Sequence, residues 1–350
     1  MTAPIVNLAD LEPLAESVLD PVAWAYYSGG AGDERTLREN VEAWARRTMR
    51  WRVLVDVATI DTSTTLLRTP VRFPVGIAPT ALHGLCCPDG ELATARAAAR
   101  HGQLYTHSTL SSRPMEDVAS VDGPRWFQLY AHNERAIAAD LARRAADAGF
   151  GAIVVTADLP VFGRREREIR GGYAWGSARE YGNLTRYVDT YGEAVTSDLH
   201  AFQLTWTDLE WLRSLTDLPL VLKGVMTGED AALACEHGVD AVWVSNHGGR
   251  QLDRAPATVD VLEECVAAVA GRAEVYVDGG IRRGTDVLTA LALGARAVFA
   301  GRPWLYALAT GGEDGVVEAV DLLRAELETA MGLLGTPTLA DVTRAHVGPG

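Results

Sequence analysis

The chain is short of several things, and each shortage removes a class of protein. No apolar run approaches the ~18 residues that a membrane-spanning helix needs. The opening stretch MTAPIVNLADLEPLAESVLD carries neither a basic segment nor an apolar one. It does not read as a secretory leader, so the cytoplasm is the expected location. Cysteine is scarce: Cys86, Cys87, Cys235 and Cys265 show no CxxC spacing, and four are too few for a disulfide framework. Cys86 and Cys87 are neighbours, which can hardly bridge to each other without strain. No set of His, Cys and carboxylates has ligand spacing, so no metal is expected. Low-complexity tracts and Pro/Ser-rich linkers are missing too, and residues 1–350 are expected to form a single domain. Basic residues are outnumbered, 32 against 46, leaving a net charge of −14. Such a surface repels polyanions, so neither nucleic acid nor an anionic membrane is an expected partner.

What the chain does have is a beat. Short, continuous apolar runs recur at Phe73–Ala78, Gln103–His107, Trp126–Tyr130, Ala152–Ala157, Pro219–Lys223, Ala241–Ser245, Glu274–Asp278 and Ala297–Ala300. Continuous rather than alternating apolar runs are typical of parallel strands covered on both faces. Between them lie stretches rich in Ala, Leu, Arg and Glu, at Glu91–His101, Arg135–Ala148, Gly228–His237, Val259–Ala270 and Asp286–Leu293. Several are followed by glycine, as a helix C-terminus prefers. Eight βα units in series predict a (β/α)8 barrel. One interval is far longer than the rest, and its Arg-rich, Gly-rich text over residues 161–205 predicts a functional loop, a lid after the fourth strand. Residues 1–70 are expected to form an N-terminal helical segment, and the chain after Pro303 a closing helix.

In such a barrel the chemistry sits at the C-terminal ends of the strands. Those ends read Pro79-Thr80-Ala81, Ser108, Gln128 with Tyr130, Thr156 with Asp158, Lys223, Ser245-Asn246-His247, Asp278-Gly279-Gly280 and Gly301-Arg302. The seventh and eighth ends, DGGIRRG and GRP, resemble a phosphate cradle. Glycines admit backbone N–H groups close to an anion, and Arg282 and Arg302 add forked donors. The string SNHGGRQLD pairs His247, a proton acceptor suited to neutral pH, with Arg250, a fixed cation suited to a carboxylate. The same residues also admit a Schiff-base lyase using Lys223 on a phosphorylated substrate, or a non-catalytic binding barrel.

SNHGGRQLD resembles the signature of the FMN-dependent 2-hydroxy acid oxidases and dehydrogenases. The segments YYSGGAGDERTLREN, PVGIAPTALHGLCCPDGELATARAAA, FQLY, VLKGVMTGEDA and VDGGIRRGTDVLTALALGARAVFAGRP resemble the same family in the same order. The resemblance implies FMN as cofactor and a small 2-hydroxy carboxylic acid as substrate. It implies His247 as base, paired with Asp158, with Arg165 and Arg250 clamping the substrate carboxylate; Arg164 is the other candidate in GRRE. Tyr26 and Tyr130 would hydrogen-bond the substrate, and Lys223 would stand beside the flavin N1 and O2. Pro79, Thr80, Ala81, Ser108, Gln128, Thr156 and Ser245 would line the isoalloxazine. Asp278 would hold the ribityl chain, and Gly279, Gly280, Arg282, Gly301 and Arg302 the phosphate end. TADLP departs from the more usual TVDTP but keeps the threonine and aspartate. Ala81 stands where oxidases tend to have alanine, which points to oxygen as electron acceptor and hydrogen peroxide as product. A dehydrogenase that hands its electrons to another carrier is the alternative. Leu110 replaces an aromatic residue of several members, which enlarges the expected pocket. Phe162, Tyr173 and Trp175 of the lid are candidates for its wall. The family also implies a homo-oligomer, a tetramer or an octamer.

Overall fold

A computed structural model describes residues 4–173, 178–192, 195 and 204–348. Its opening third is not purely helical. Helices α1 (Leu11–Val18), α2 (Pro21–Ser28) and α3 (Arg35–Ala45) come first, as expected. The chain then runs irregularly into an antiparallel hairpin, β1 (Thr64–Leu66) and β2 (Thr69–Val71), which corrects the expectation of a helical segment up to residue 70. Pro70 cannot sit inside a helix without losing a hydrogen bond. Leu66 and Val71 are buried beneath the barrel, in contact with its interior residues.

Eight parallel strands follow: β3 (Val75–Ile77), β4 (Tyr105–Ser108), β5 (Arg125–Leu129), β6 (Ile153–Thr156), β7 (Leu220–Val225), β8 (Ala241–Val244), β9 (Glu274–Asp278) and β10 (Ala297–Ala300). They pair in chain order, and β10 closes on β3, giving the (β/α)8 barrel. Each of the eight apolar runs overlaps one of them, with β4, β5 and β7 extending one or two residues beyond theirs. The covering helices follow the same physics. In α6 (Arg135–Asp147, after α4 at Glu91–His101 and α5 at Met115–Ala119), Ile137, Ala138, Leu141, Ala142 and Ala145 form the buried stripe. That i, i+4 spacing lays one apolar face on the strands. The closing helix is long, Arg302–Leu334, and packs on α1 and α4.

The barrel interior positions the site. Trp126, Val154, Val221, Trp243, Tyr276 and Phe299 fill it, with the rings of Trp243 and Phe299 3.8 Å apart. Side chains two residues apart on a strand share a face. One step above this floor, the inward positions are therefore Gln128, Thr156, Lys223, Ser245 and Asp278, the polar ends expected to carry the chemistry. The register slips once, between Lys223 and Val225, where Gly224 takes a φ of +109°. A Cβ on Gly224 would come within 2.6 Å of the Asp158 Cβ, so the glycine makes room for that carboxylate.

The expected lid is also more regular than a loop. The described part holds the short helix α7 (Glu166–Arg170) and helical turns at Ala178–Glu180 and Thr185–Tyr187. Buried Asn183 pins the second part down, receiving a bond from the Met115 N–H and donating to the carbonyl of Ser108. Trp175 lies outside the described residues.

Candidate active site

At the mouth of the barrel the strand ends build a cleft of about 1090 Å³, counted out to its open side. Clefts of roughly 300–1,000 Å³ are usual for ligands of cofactor size. Its base is a belt of hydrogen bonds. The Ser108 hydroxyl donates to Gln128 Oε1 at 3.1 Å, and Gln128 Nε2 donates to Thr156 Oγ1 at 3.0 Å. Across the mouth, Lys223 Nζ donates to Ser245 Oγ at 2.9 Å, and the Ser245 hydroxyl donates to Asp278 Oδ1 at 2.8 Å. Asp278 also accepts from Trp243 Nε1 at 3.0 Å and faces Lys223 at 3.4 Å. Lys223 thus commits its ammonium to Ser245 and Asp278, which disfavours its reading as a Schiff-base former. It is also the chain's single lysine.

His247 stands over this base on the loop after β8, with a φ of +57°. A left-handed conformation is costly for a non-glycine residue, and such strain gathers at working sites. Its Nδ1 meets Asp158 Oδ1 at 2.8 Å. A carboxylate only accepts, so Nδ1 carries the proton and Nε2 is left with the lone pair. Burial holds the imidazole below its ordinary pKa, although Asp158 pulls the other way. Burial alone would push Asp158 up, but His247 and Lys223 outweigh it and the carboxyl falls below its usual range. The pair is thus a neutral imidazole backed by a buried anion. Among the described residues Asp158 Oδ2 has no hydrogen-bond partner, so His247 is the one side chain bonded to this carboxylate.

The two arginines meet beside it. Arg165 opens α7, and its Nε donates to the carbonyl of Arg250 at 3.1 Å. Burial, and after it the like charge of Arg250, brings Arg165 down to about 10, still a cation at neutral pH. Arg250 lies 5.0 Å from the centre of the Tyr26 ring and donates to the carbonyls of Tyr26 and Gly29. Burial raises the pKa of the Tyr26 and Tyr130 hydroxyls, so both line the cleft as neutral donors. Arg164, the rival in GRRE, has a side chain 77% exposed, whereas Arg165 lines the cleft.

A further part of the cleft wall is rich in glycine. Gly279, Gly280, Arg282, Gly301 and Arg302 all line it, and Gly301 caps the helix Arg302–Leu334. Asp286 accepts from the N–H groups of Arg282 and Arg283 at 2.9 Å and so shapes the turn. Arg302 departs from the expectation in one respect. Its guanidinium donates to the carbonyls of Tyr27, Gly248 and Gly29 at 2.8–3.0 Å, which ties the N-terminal segment to the cleft. Toward an anion it adds charge and a helix N-terminus more than a free fork.

Of the residues expected in the site, Tyr26, Pro79, Thr80, Ala81, Ser108, Tyr130, Arg165, Lys223, His247, Arg250 and Asp278 line the same cleft. Gln128, Asp158 and Ser245 stand one hydrogen bond behind, and Thr156 two, through Gln128. Leu110 and Phe162 lie in the apolar part of the wall, and Tyr173 stacks on Tyr26 at 4.5 Å. Three participants were not anticipated. Gln251 accepts from Arg165 and donates to the carbonyls of Asp158 and Val161. His83 bonds Thr80 at 2.6 Å and Thr94 at 2.9 Å. Glu168 binds Arg250 at 2.7 Å. Gln251 lay in view inside SNHGGRQLD, whereas Glu168 was hidden in a charge run.

The residues present suit a flavin mononucleotide. A broad polar ring carries Lys223, a glycine-rich corner carries Arg282 and Arg302, and Arg250, with Arg165 beside it, shares the Gly29 carbonyl with Arg302. The comparisons agree. A family description for FMN-dependent dehydrogenases matches residues 15–349. A peroxisomal (S)-2-hydroxyacid oxidase of Arabidopsis thaliana is 48% identical over 349 residues, 98% of this chain and 96% of that protein. An L-lactate oxidase of Nostoc is 47% identical over 351 residues, 96% of each. Among solved structures, a mandelate oxidase variant with (S)-mandelic acid superposes with a TM-score of 0.92 at 42% identity, covering 99% of both chains. The barrel, its polar crown and these matches together place the chain in the FMN-dependent dehydrogenase family.

Proposed function

We propose that this protein oxidises an (S)-2-hydroxy acid to the 2-keto acid with FMN as cofactor and oxygen as final acceptor, releasing hydrogen peroxide. The observation that carries the reading is the neutral His247, held by Asp158 at 2.8 Å, in one cleft with the cations Arg165 and Arg250. The arginines fix the substrate carboxylate, and Tyr26 and Tyr130 offer hydroxyls to the carboxylate and the reacting oxygen. His247 Nε2 takes a proton from the hydroxyl or the α-carbon, and Asp158 stabilises the imidazolium that results. When bound, FMN supplies the two-electron acceptor. Lys223 holds positive charge where that acceptor becomes negative, and the belt behind it keeps the lysine in place.

Ala81, Leu110, Leu159 and Phe162 give the cleft an apolar side that suits a substrate with a bulky or aryl group. Among the described residues no helix is long and apolar enough to cross a membrane. Four free thiols support a cytoplasmic location. The exposed apolar stretch Trp51, Val53 and Leu54, beside Leu333, supports a homo-oligomer, a tetramer or its dimer, built from one domain per chain.

The test is anaerobic bleaching of the purified yellow protein by glycolate, lactate and mandelate, followed by peroxide release on admitting air. His247→Ala should keep its flavin and lose bleaching. Failure of every acid to bleach the parent protein would remove the reading, and bleaching without peroxide would replace oxygen by another carrier.

A further inference from the structure

Glu168 sits where a carboxylate is least expected, only 6% exposed and against the two cations meant for the substrate's carboxylate. Its Oε1 accepts from Arg250 at 2.7 Å and lies 3.7 Å from the Arg165 guanidinium. Both arginines line the cleft, while Glu168 is not part of its wall. The carboxylate therefore faces the clamp from behind and leaves the front open to a ligand. Arg250 remains anchored through the carbonyls of Tyr26 and Gly29, and Arg165 through Gln251 and the carbonyl of Arg250. The geometry of the clamp thus has other supports. What Glu168 alone supplies is a negative charge.

Building on the 2-hydroxy acid reading, we propose that Glu168 is a specificity-determining residue, whose charge reduces the clamp to one net positive charge and matches the site to a monocarboxylate. Of the three charges in direct contact, two arginines and one glutamate leave +1, which one substrate carboxylate neutralises. A second carboxylate on the substrate enters a clamp already balanced, beside the buried Asp158. Without Glu168 the clamp is worth +2, and its attraction for a ligand scales with the ligand's charge.

Oxamate and oxalate test this, because they are close in shape and carry one and two negative charges at neutral pH. Their binding to the FMN-loaded protein is measured by calorimetry, for the parent protein, Glu168→Gln and Glu168→Asp. Glutamine keeps an oxygen that can accept from Arg250 and removes only the charge. Glu168→Gln should bind oxamate several-fold tighter and gain about the same factor again for oxalate. Glu168→Asp should stay close to the parent ratio. In turnover, Glu168→Gln should raise kcat/KM for malate relative to lactate. Weaker binding of both anions by Glu168→Gln, or an unchanged ratio between them, would overturn the proposal and leave Glu168 a mere support for Arg250. The calorimetric result needs no turnover, so it stands apart from the bleaching test of the parent protein, whose failure would instead remove the hydroxy acid reading.

Discussion

Replacing Asp158 by Asn removes one charge and little else. The side chain is 11% exposed, and its main-chain carbonyl still accepts from Gln251. Asn offers an oxygen to His247 Nδ1, so the imidazole keeps its tautomer. What disappears is the ion pair that forms when His247 takes the substrate's proton. With the Nδ1–Oδ1 contact at 2.8 Å, the charge centres lie about 4 Å apart. At an effective dielectric constant of ~20 such a pair is worth about 4 kcal/mol. The amide dipole retains part of this, so the transition state loses about 2–4 kcal/mol, a slowing of roughly 30- to 900-fold. Anaerobic stopped-flow reduction of the flavin by the best substrate measures it. The pH dependence adds a second signature. Asp158 raises the pKa of His247 against the effect of burial. In Asp158→Asn the acid limb of the rate profile should therefore move to lower pH while the plateau falls. Reduction within about threefold of the parent rate, or an acid limb displaced upward, would refute the assignment of the pair.

In the parent protein, the rate of flavin reduction should rise with pH through an apparent pKa below the usual histidine value of about 6.5 and then level off, because the base must be unprotonated. An acid limb centred above 7 would point to another group. Leu110→Trp should fill the apolar side of the cleft and cut kcat/KM for mandelate far more than for glycolate; equal losses would mean that Leu110 does not face the substrate. Gly280→Ala should cost about 2–5 kcal/mol and the flavin with it, since overpacking and backbone strain add. Its Cβ would lie 1.7 Å from the Asn40 carbonyl oxygen at a φ of +83°. An unchanged thermal midpoint would contradict that.

The barrel was legible because each strand is buried on both faces and so is written as an unbroken apolar run. Its polar crown was legible for a related reason: a polar residue ending such a run needs an explanation. The hairpin beneath was not. Strands of three residues, one holding a proline, leave no periodicity to read, and Leu66 and Val71 are buried only because the barrel floor covers them. Glu168 escaped for a different reason. RREREIR has the composition of a solvated face, and nothing local separates Glu166, one-third exposed, from Glu168, which is buried by its partners on Arg250. The bonds of Arg302 were hidden for a third reason. Two of its three partners are carbonyls some 275 residues earlier in the chain, and main-chain acceptors leave no mark in a sequence.

The single lysine has a practical consequence. A protease that cuts only after lysine has one target in the whole chain, and that bond lies within a barrel strand whose Lys223 is 5% exposed. Local fraying of loops or termini offers it nothing, so digestion proceeds only through opening of the barrel itself. The molecule therefore carries its own gauge of global unfolding, and two fragments split at Lys223 would record each such event.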